Sequence, residues 1–542
     1  MEKHILFAGH LLIESVASYP EYGGKEQRIK MKSNKIVSKT EFKNNIKHQL
    51  KKAGKKTVLC HGVFDLVHPG HIQHFEQAKG YGDVLIVSIT SEKYVRKGPG
   101  RPFFNDNLRM KFLCEMECVD YVMLSECYTV DDIIEAVEPD FYVKGAEYAD
   151  EDADVTGMIR RERELVEAHG GKLVFTYGEV FSSTKLINKG LSGLTEEIRE
   201  YMEAFRNKHP MEEVLQVADR ISGLKILVIG EIIIDRYTWC SIHGLMSKDM
   251  GYSARLERSE DSYGGAAAVA RHLSSFAKNV TLMSVVGSDG YAEKMKTAVS
   301  EGLTLKLFES DVYPTIIKHR YLSRDGKREE YQKIFSVDNM NENGNVDKAA
   351  RNRLFQTLKD EIRDYDAVFV CDFGHGLLDD ELMELLQEKS SYLALNCQTN
   401  SSNYGLNPIT KYRRADVFTV DERELGLAYP SQAANEAEGL KSLSKHFQSQ
   451  GFLTRGSYGA YGTVPRGDVM SCPAFTLTVK DTVGAGDAFH AVAGIYACAG
   501  ADNELSLFMG NIAGALAANI IGNSEAVEKV NVLKYASTLM NV

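Results

Sequence analysis

The sequence lacks the marks of a secreted, disulfide-bonded or membrane-spanning protein. Its nine cysteines are scattered, odd in number and never spaced as CxxC, which favours reduced thiols in a cytoplasmic protein. No stretch approaches the roughly 20 apolar residues of a membrane helix. His10 and Glu14 interrupt the first apolar run, so we expect a short extension over residues 1–30 rather than a signal peptide.

Positive charge is also scarce in this sequence. The chain carries 64 Lys and Arg against 75 Asp and Glu, a net charge of −11. This balance argues against general binding of nucleic acids or membrane surfaces, although it leaves room for a local basic pocket. We therefore expect small-molecule partners, with no nucleic acid and no membrane among them.

The length and the apolar pattern indicate two α/β domains. A chain of 542 residues is longer than one core usually serves, so two domains are expected, with room for a third. Over residues 31–191, continuous apolar runs such as DVLIVSIT alternate with helical patterns. This alternation predicts a parallel sheet with helices on both faces.

A second α/β unit is expected over residues 223–542. Polar residues follow several of its apolar runs, at the strand ends where open α/β sheets bind ligands. One segment, TIIKHRYLSRDGKREEYQKIF, lacks helical spacing and predicts a small β lid. Between the two units, residues 192–222 predict a helical linker, which is either a solvated spacer or a surface for dimerisation or docking.

The stretch HGVFDLVHPGH is the first candidate site. His61, His68 and His71 allow a zinc site, but no cysteine completes the ligand set. A solvent-facing turn is the plainest alternative. A phosphate site fits better, because Gly70 admits close backbone approach and a helix N-terminus at His71 attracts anions. Two imidazoles there can stabilise charge that develops on a phosphate.

The stretch DTVGAGDAFH is the second candidate site. Its glycines open an apolar, small-residue helix, so that the backbone N–H groups from Val483 to Gly486 can form an anion hole. Asp487 then stands within reach of a substrate hydroxyl as a general base. The alternative is an N-cap aspartate beside glycines that serve packing.

The first stretch resembles the HxGH signature of the nucleotidyltransferase superfamily, especially its cytidylyltransferase-like branch. Three further segments resemble the family's motifs in the same order: VRKGPGRPFFNDNLRMKFL, PDFYVKGAEY and FSSTKLIN. The resemblance implies that His68 and His71 stabilise the transition state at the α-phosphate of a nucleotide. It implies nucleotide or phosphate contacts for Gly62, Phe64, Lys97, Arg109, Lys144, Ser183 and Thr184.

The second unit resembles the ribokinase/PfkB family of carbohydrate kinases, on the motifs GEIIIDRY, YGGAAAVARHL, VDERE, LTRGSYGAYG and DTVGAGDAF. The resemblance implies that Asp487 is the catalytic base and that Glu424 organises Mg²⁺ through water. It implies sugar or ATP contacts for Asp235, Gly264, Gly265, Thr454, Gly456, Gly459, Gly484, Ala485 and Gly486. The sequence departs from the family at Ala268, His375 and Asp421, where Asn, Lys and Asn are usual.

Together the two resemblances imply a bifunctional enzyme of nucleotide-sugar biosynthesis, similar to the heptose-phosphate kinase/adenylyltransferases but with the two domains in swapped order. The kinase would phosphorylate a sugar or sugar phosphate with ATP. The transferase would transfer AMP or CMP from ATP or CTP to a sugar 1-phosphate, releasing pyrophosphate, with Mg²⁺ as cofactor. The alternative is an active transferase whose kinase-like domain only binds sugar or acts as a scaffold. A cytoplasmic homodimer or higher homo-oligomer is expected.

Overall fold

The structure is a computed structural model, in which the described residues form three β-sheets. It describes residues 35–95, 101–145, 148, 158–177, 195–248, 250–298, 302–324, 331–340, 347–400, 403–432, 434–476 and 479–541. Within these ranges, no helix is both long and apolar enough to span a bilayer.

The first sheet has five strands in the order β3-β2-β1-β4-β5, and every neighbouring pair is parallel. Successive residues of β1 face opposite sides: Leu59 lies in one apolar cluster, while Val58 and Cys60 lie in another. Two cores therefore sandwich the sheet, which confirms the predicted α/β unit. The strands are β1 (Thr57–Gly62), β2 (Val84–Thr90), β3 (Tyr121–Ser125), β4 (Phe141–Lys144) and β5 (Lys172–Phe175).

The second sheet has nine strands in the order β10-β9-β6-β13-β14-β15-β16-β17-β18. The pairs from β10 to β16 are parallel, and the last two pairs are antiparallel. The strands are β6 (Lys225–Gly230), β9 (Asn279–Gly287), β10 (Leu303–Ser310), β13 (Ala367–Asp372), β14 (Leu393–Cys397), β15 (Val417–Asp421), β16 (Gln450–Thr454), β17 (Ala460–Thr463) and β18 (Met470–Cys472).

The third sheet is the predicted lid, in the order β12-β11-β7-β8. It is larger than expected, because two long strands precede the segment that predicted it. Most of β8 is exposed, so the lid stands out from the body of the second unit. Its strands are β7 (Ile232–Leu245), β8 (Tyr252–Gly265), β11 (Ile316–Arg324) and β12 (Tyr331–Asn339).

Helices pack on the first two sheets, as the alternating pattern predicted. A π-helical turn over Phe42–Ile46 joins α1 to α2. The helices are α1 (Lys39–Glu41), α2 (Lys47–Lys52), α3 (Pro69–Lys79), α4 (Asp106–Cys114), α5 (Asp131–Val137), α6 (Met158–Ala168), α7 (Glu196–Arg206), α8 (Met211–Ser222), α9 (Ala266–Ser274), α10 (Tyr291–Ala298), α11 (Lys348–Glu361), α12 (Asp380–Lys389), α13 (Glu422–Ala428), α14 (Glu436–Phe447), α15 (Ala485–Cys498), α16 (Asn503–Ala517) and α17 (Lys529–Met540).

The helices of the predicted linker, α7 and α8, are not a solvated spacer. Ile198, Met202 and Phe205 of α7 are buried in the same apolar cluster as the nine-stranded sheet, and so are Val214 and Ile221 of α8. The spacer interpretation is therefore wrong. These helices dock on the second unit of their own chain, with their polar faces outward.

Candidate active sites

Two histidines of the first site lie together where α3 begins. His68 is the N-cap residue, and Pro69 occupies the first helical turn, a position where the missing N–H of proline costs nothing. The imidazole rings of His68 and His71 stack with their centroids 3.9 Å apart. The backbone N–H of His68 donates to Nδ1 of His71 over 3.4 Å. The sequence thus brings both signature histidines to one helix N-terminus.

Phe64 supports this pair from the loop after β1. Its ring meets His71 edge-on, with centroids 5.3 Å apart, and its backbone is left-handed at φ 45°. A Cβ on Gly62 would come within 3.0 Å of the Phe64 ring, which is closer than ordinary van der Waals contact. Gly62 therefore makes space for the aromatic ring that backs the histidines.

Arg109 is buried rather than presented to solvent. Its Nη1 donates to the carbonyl oxygens of Val63 (2.7 Å) and Thr90 (2.9 Å), and its Nε donates to that of Phe104 (3.0 Å). Its Nη2 pairs with Asp106 at 2.5 Å. This guanidinium joins the loop after β1 to the end of β2, so it holds the histidine loop in place.

Asp65 holds the segment from Arg101 to Phe104 against the histidine loop. Its carboxylate accepts from Arg101 Nε (2.8 Å) and from the backbone N–H groups of Phe103 (2.8 Å) and Phe104 (2.9 Å). The sequence identified Asp65 only as part of a motif, because its partners lie 36 to 39 residues further along the chain.

Of the other predicted transferase residues, the structure describes only Lys144. Lys144 forms an ion pair with Glu162, with 2.8 Å between Nζ and Oε2. Lys97, Ser183 and Thr184 lie outside the described residues. No group of three or more His, Cys, Asp or Glu side chains suited to a metal ion occurs in the described ranges, so the zinc alternative gains no support.

Asp487 of the second site lies in the first turn of α15, behind the N-cap Gly484 at φ 84°. Its Oδ1 accepts a hydrogen bond from Gln398 Nε2 over 2.7 Å. Burial raises the pKa of Asp487 to about 6, against the effect of this hydrogen bond. A Cβ on Gly486 would meet nothing within 4 Å. The backbone is therefore open to a ligand at the point where the motif predicts a phosphate.

Asp235 faces the same site from the lid strand β7. Its carboxylate pairs with Arg320 of β11 and accepts from Asn523 Nδ2 over 3.0 Å. A Cβ on Gly264 would come within 2.1 Å of Asp235 Oδ2, so a larger residue at this position would displace the carboxylate. The carboxylate of Asp235 thus lies against the paired-glycine motif, and its role as a sugar contact stays a prediction.

Glu424 is buried behind Asp487 and forms a capping box with Asp421. Its Oε2 accepts from the Asp421 backbone N–H (2.8 Å), and its Oε1 accepts from the Thr399 N–H (3.1 Å). Burial raises the pKa of Glu424 to about 8, and the nearby charges of Asp421 and Asp487 act in the same direction.

The remaining predicted kinase positions stand at strand ends or helix starts. Gly265 is the N-cap residue of α9, and Ala485 begins α15. Thr454 ends β16, and a 3₁₀ turn over Gly456–Tyr458 leads to Gly459 at φ 84°.

Two of the departures from the family pattern are buried near the kinase site. Ala268 lies inside α9. His375 is buried, and burial lowers its pKa to about 4. Its loop is held by Glu231, whose carboxylate accepts from the backbone N–H groups of Phe373 (3.0 Å) and His375 (3.1 Å). The third departure, Asp421, caps α13.

Sequence reasoning missed four residues of this site: Gln398, Lys318, Arg320 and Asn523. Lys318 projects from β11, and its ammonium forms no ion pair or hydrogen bond with the described part of the chain. Burial lowers the pKa of Lys318, while Asp338, Asp235 and Asp487 oppose that shift. The basic character of the predicted lid could have pointed to Lys318 and Arg320, but the acidic residues near them are distant in the sequence.

Comparison with known proteins assigns both regions. The family of pfkB carbohydrate kinases matches residues 224–529, more than half of the chain. The chain belongs to the pfkB family of carbohydrate kinases. The cytidylyltransferase-like family matches residues 59–189, so this pfkB-family chain carries the transferase-like region first and the kinase region second.

Curated relatives cover only part of the chain. A bifunctional protein HldE of Citrifermentans bemidjiense is 37% identical over 142 residues, 26% of this chain and 28% of that protein. One of Geobacter metallireducens is 37% identical over 150 residues, 27% of this chain and 29% of that protein. The matched stretch thus spans less than a third of the length of either relative.

Solved structures add a weaker likeness. Arabidopsis thaliana ribokinase complexed with ribose and ATP shares 15% identity with a TM-score of 0.46, covering 58% of this chain and 98% of that one. The fold assignment rests on the strand order and pairing, not on this likeness.

Proposed function

We propose that this chain is a bifunctional enzyme of nucleotide-sugar biosynthesis. Its pfkB-family region phosphorylates a sugar or sugar phosphate, heptose-like in kind, with ATP. Its transferase region joins AMP or CMP, from ATP or CTP, to a sugar 1-phosphate and releases pyrophosphate. The observation that carries the kinase half is Asp487, a buried carboxylate at a glycine-opened helix start beside Asp235.

In the kinase reaction, a sugar hydroxyl attacks the γ-phosphorus of ATP. A new O–P bond forms, the bond to the bridging oxygen of ADP breaks, and the hydroxyl proton passes to Asp487. With a pKa of about 6, this carboxylate is ionised at neutral pH and accepts that proton. The N–H groups of the Gly484–Gly486 turn stabilise the charge on the transferred phosphoryl group. Asp235, Gly264 and Gly265 hold the sugar, and Thr454, Gly456 and Gly459 line the ATP cleft.

In the transferase reaction, a phosphate oxygen of the sugar attacks the α-phosphorus of the nucleotide in line, and pyrophosphate leaves. No covalent intermediate with the enzyme is needed. His68 and His71, stacked at the start of α3, donate hydrogen bonds to the α-phosphate as charge accumulates. Lys97, Lys144, Ser183 and Thr184 are proposed phosphate or acceptor contacts. Arg109 acts by holding the loop that carries Phe64 and the histidines.

Mg²⁺ fits the second site on its donor set. Each oxygen of Glu424 accepts one backbone hydrogen bond, so each keeps a second lone pair that would contact the ion through water. Asp421, in the same capping box, is exposed and uses its Oδ1 to accept the Glu424 N–H. When bound, Mg²⁺ would balance the charge of the ATP phosphates.

A matrix of nucleotides against sugar phosphates, read by mass spectrometry, tests the proposal. ATP and CTP are each incubated with heptose phosphates and other sugar phosphates. At least one combination should give a nucleotide sugar, and at least one sugar should gain a phosphate from ATP. If no pair does either, the proposed function fails.

The second candidate function keeps the transferase and makes the kinase region a sugar-binding or scaffolding module. The departures at Ala268, His375 and Asp421 favour it, because they replace side chains that are usual in the family. Sugar-dependent ADP release, compared between wild type and Asp487→Asn, decides between the two. Equal rates in both would exclude catalysis that depends on Asp487.

We further propose that the enzyme acts in the cytoplasm as a homodimer or higher homo-oligomer. The outer face of the lid supports self-association, since Tyr252, Leu256 and Phe335 are exposed there and line a cavity of about 930 Å³. Sedimentation of wild type and Phe335→Asp tests it. A monomeric wild type would contradict it.

A further inference from the structure

Gln398 stands where β14 ends, between the sheet and the predicted base. Its backbone N–H donates to the carbonyl oxygen of Asp372 over 2.7 Å, which fixes the start of the following loop. Its side-chain Nε2 makes two hydrogen bonds, to Asp487 Oδ1 at 2.7 Å and to Asn396 Oδ1 at 2.8 Å. The sequence analysis placed polar residues at strand ends such as this one but assigned Gln398 no role.

The neighbours of Gln398 fix which way its amide points. Asn396 is buried, and its Nδ2 donates to the carbonyl oxygen of Thr419 over 3.0 Å. A carbonyl oxygen only accepts, so Asn396 must turn its Oδ1 toward Gln398. An ionised carboxylate also only accepts. Flipping the Gln398 amide would therefore set its oxygen against two acceptors, and only the observed orientation satisfies the chain.

The hydrogen bond also determines which oxygen of Asp487 is engaged. Oδ1 is taken by Gln398, whereas Oδ2 has no hydrogen-bond partner among the described residues. A general base needs one lone pair available to the substrate and a fixed carboxylate plane. The amide chain from the buried Thr419 and Asn396 to the half-buried Gln398 supplies that fixed plane.

We propose that Gln398 is a positioning residue for the kinase reaction, which orients the Asp487 carboxylate and stabilises its ionised form. This inference rests on the proposed kinase function, in which Asp487 is the base. Gln398 itself need not touch either substrate, because it acts through Asp487.

The charges around Asp487 explain why such a donor matters. Burial and the nearby carboxylate of Asp235 raise the pKa of Asp487, whereas the Gln398 hydrogen bond and Lys318 lower it, with a balance at about 6. Glu424 and Cys371 also face it. Since a hydrogen bond to the charged form favours that form, its removal raises the pKa.

Carboxyl ¹³C NMR of aspartate-labelled full-length protein measures this directly, with the Asp487 resonance assigned by its loss in Asp487→Asn. Wild type should titrate near pH 6. Gln398→Leu should titrate about one pH unit or more higher, a tenfold or larger gain in proton affinity. Gln398→Asn, whose shorter amide loses the contact, should shift in the same direction and serves if the leucine variant folds poorly.

The matched control is Gln387→Leu, at a glutamine of the same domain whose amide caps the backbone of Arg413 and Arg414. It should leave the Asp487 titration unchanged. In sugar-dependent ADP release, the acid limb of the Gln398→Leu profile should move upward together with the NMR value, while that of Gln387→Leu stays in place.

An Asp487 titration that is the same in wild type, Gln398→Leu and Gln398→Asn would overturn the inference. This readout needs no turnover, so the titration remains decisive even if the kinase assay fails. Conversely, equal ADP release by wild type and Asp487→Asn would overturn the proposed kinase function whatever the titration of Gln398→Leu.

Discussion

Buried carboxyl groups set the chemistry of the kinase site at the residue scale. Glu231 and Glu424 lie just beyond the carboxyl ends of β6 and β15, Asp487 lies in the first turn of α15, and burial raises the pKa of each. The three do not have the same role. Only Asp487 combines a pKa near 6 with an oxygen open to substrate, whereas the other two are occupied by backbone N–H donors.

The proposed role of Asp487 as the base sets the expected pH dependence of the kinase reaction. Its pKa is raised to about 6, so the base is ionised above that value and protonated below it. The kcat/KM for sugar-dependent ADP release should therefore fall as the pH drops through about 6. A pH–rate profile checks this, and an acid limb near pH 4, the usual range of an aspartate, would contradict it.

The substitution Gly486→Ala tests whether a ligand approaches the backbone here, because it should change the kinase rate without changing the melting temperature. The added methyl would meet no protein atom within 4 Å, so the melting temperature should stay within about 2 °C of wild type. The kinase rate should fall about tenfold or more, because the methyl occupies the space where the phosphates approach. Gly223→Ala, at the end of α8, would add a methyl in ordinary van der Waals contact with the Arg220 carbonyl oxygen at 3.9 Å, and it should leave both quantities unchanged. A wild-type rate in Gly486→Ala would contradict the anion-hole assignment.

Motif residues were predictable from the sequence, and their partners were not. His68, His71 and Asp487 were found because each lies in a short stretch with its own helix start. Gln398 and Asn523 reach Asp487 and Asp235 from segments about 90 and 290 residues away, a proximity that only the folded sheet creates. Arg109 was expected at a phosphate, but its surroundings are the carbonyl oxygens that the fold gathers around it.

At the scale of elements, the lid brings charged residues next to Asp235, the proposed sugar contact. Strand β11 is parallel to β7 with Lys318 opposite Asp235, and Arg320 two residues on pairs with the same carboxylate. The predicted lid segment thus contributes charged residues to the surroundings of Asp235. The sequence did not predict this pairing with β7, because the GEIIIDRY motif ends at Tyr237 whereas β7 continues to Leu245.

A double-mutant cycle measures the coupling between lid and site. Arg320→Met and Asp235→Asn, singly and together, should show a coupling free energy of about 1–3 kcal/mol in urea unfolding, because the pair is largely buried. The control pair is Arg236 and Asp261, on β7 and β8 but more exposed, for which about 1 kcal/mol or less is expected. Equal coupling in the two pairs would contradict a special role for the Arg320 contact.

The polar segment that forms α7 and α8 contains a buried apolar face. Their composition suggested a spacer, but Ile198, Met202 and Phe205 recur at intervals of four and three residues, the spacing of a buried helical face. That stripe was the signal for docking. The sequence of this segment alone does not show which surface the stripe packs against, because that surface belongs to the unit of the nine-stranded sheet.

At the scale of the whole molecule, two units with separate apolar cores carry two separate motif sets. The clusters around the five-stranded sheet share no residue with the cluster of the nine-stranded sheet. The alternating strands and helices made both α/β units predictable, whereas the extent of the lid and the attachment of α7 and α8 depended on long-range packing. Separate cores imply that each reaction can be removed without the other.

The most direct test follows both reactions in one tube by ³¹P NMR, which resolves ADP from pyrophosphate. ATP and CTP are supplied with a panel of sugars, sugar phosphates and sugar 1-phosphates to wild type, Asp487→Asn and His68→Asn; asparagine keeps a good N-cap for α3. Wild type should form ADP and pyrophosphate. Asp487→Asn should lose about 10²–10⁴-fold in ADP formation only, and His68→Asn about 10²–10³-fold in pyrophosphate only. Loss of both products in either variant, or of neither, would contradict the account.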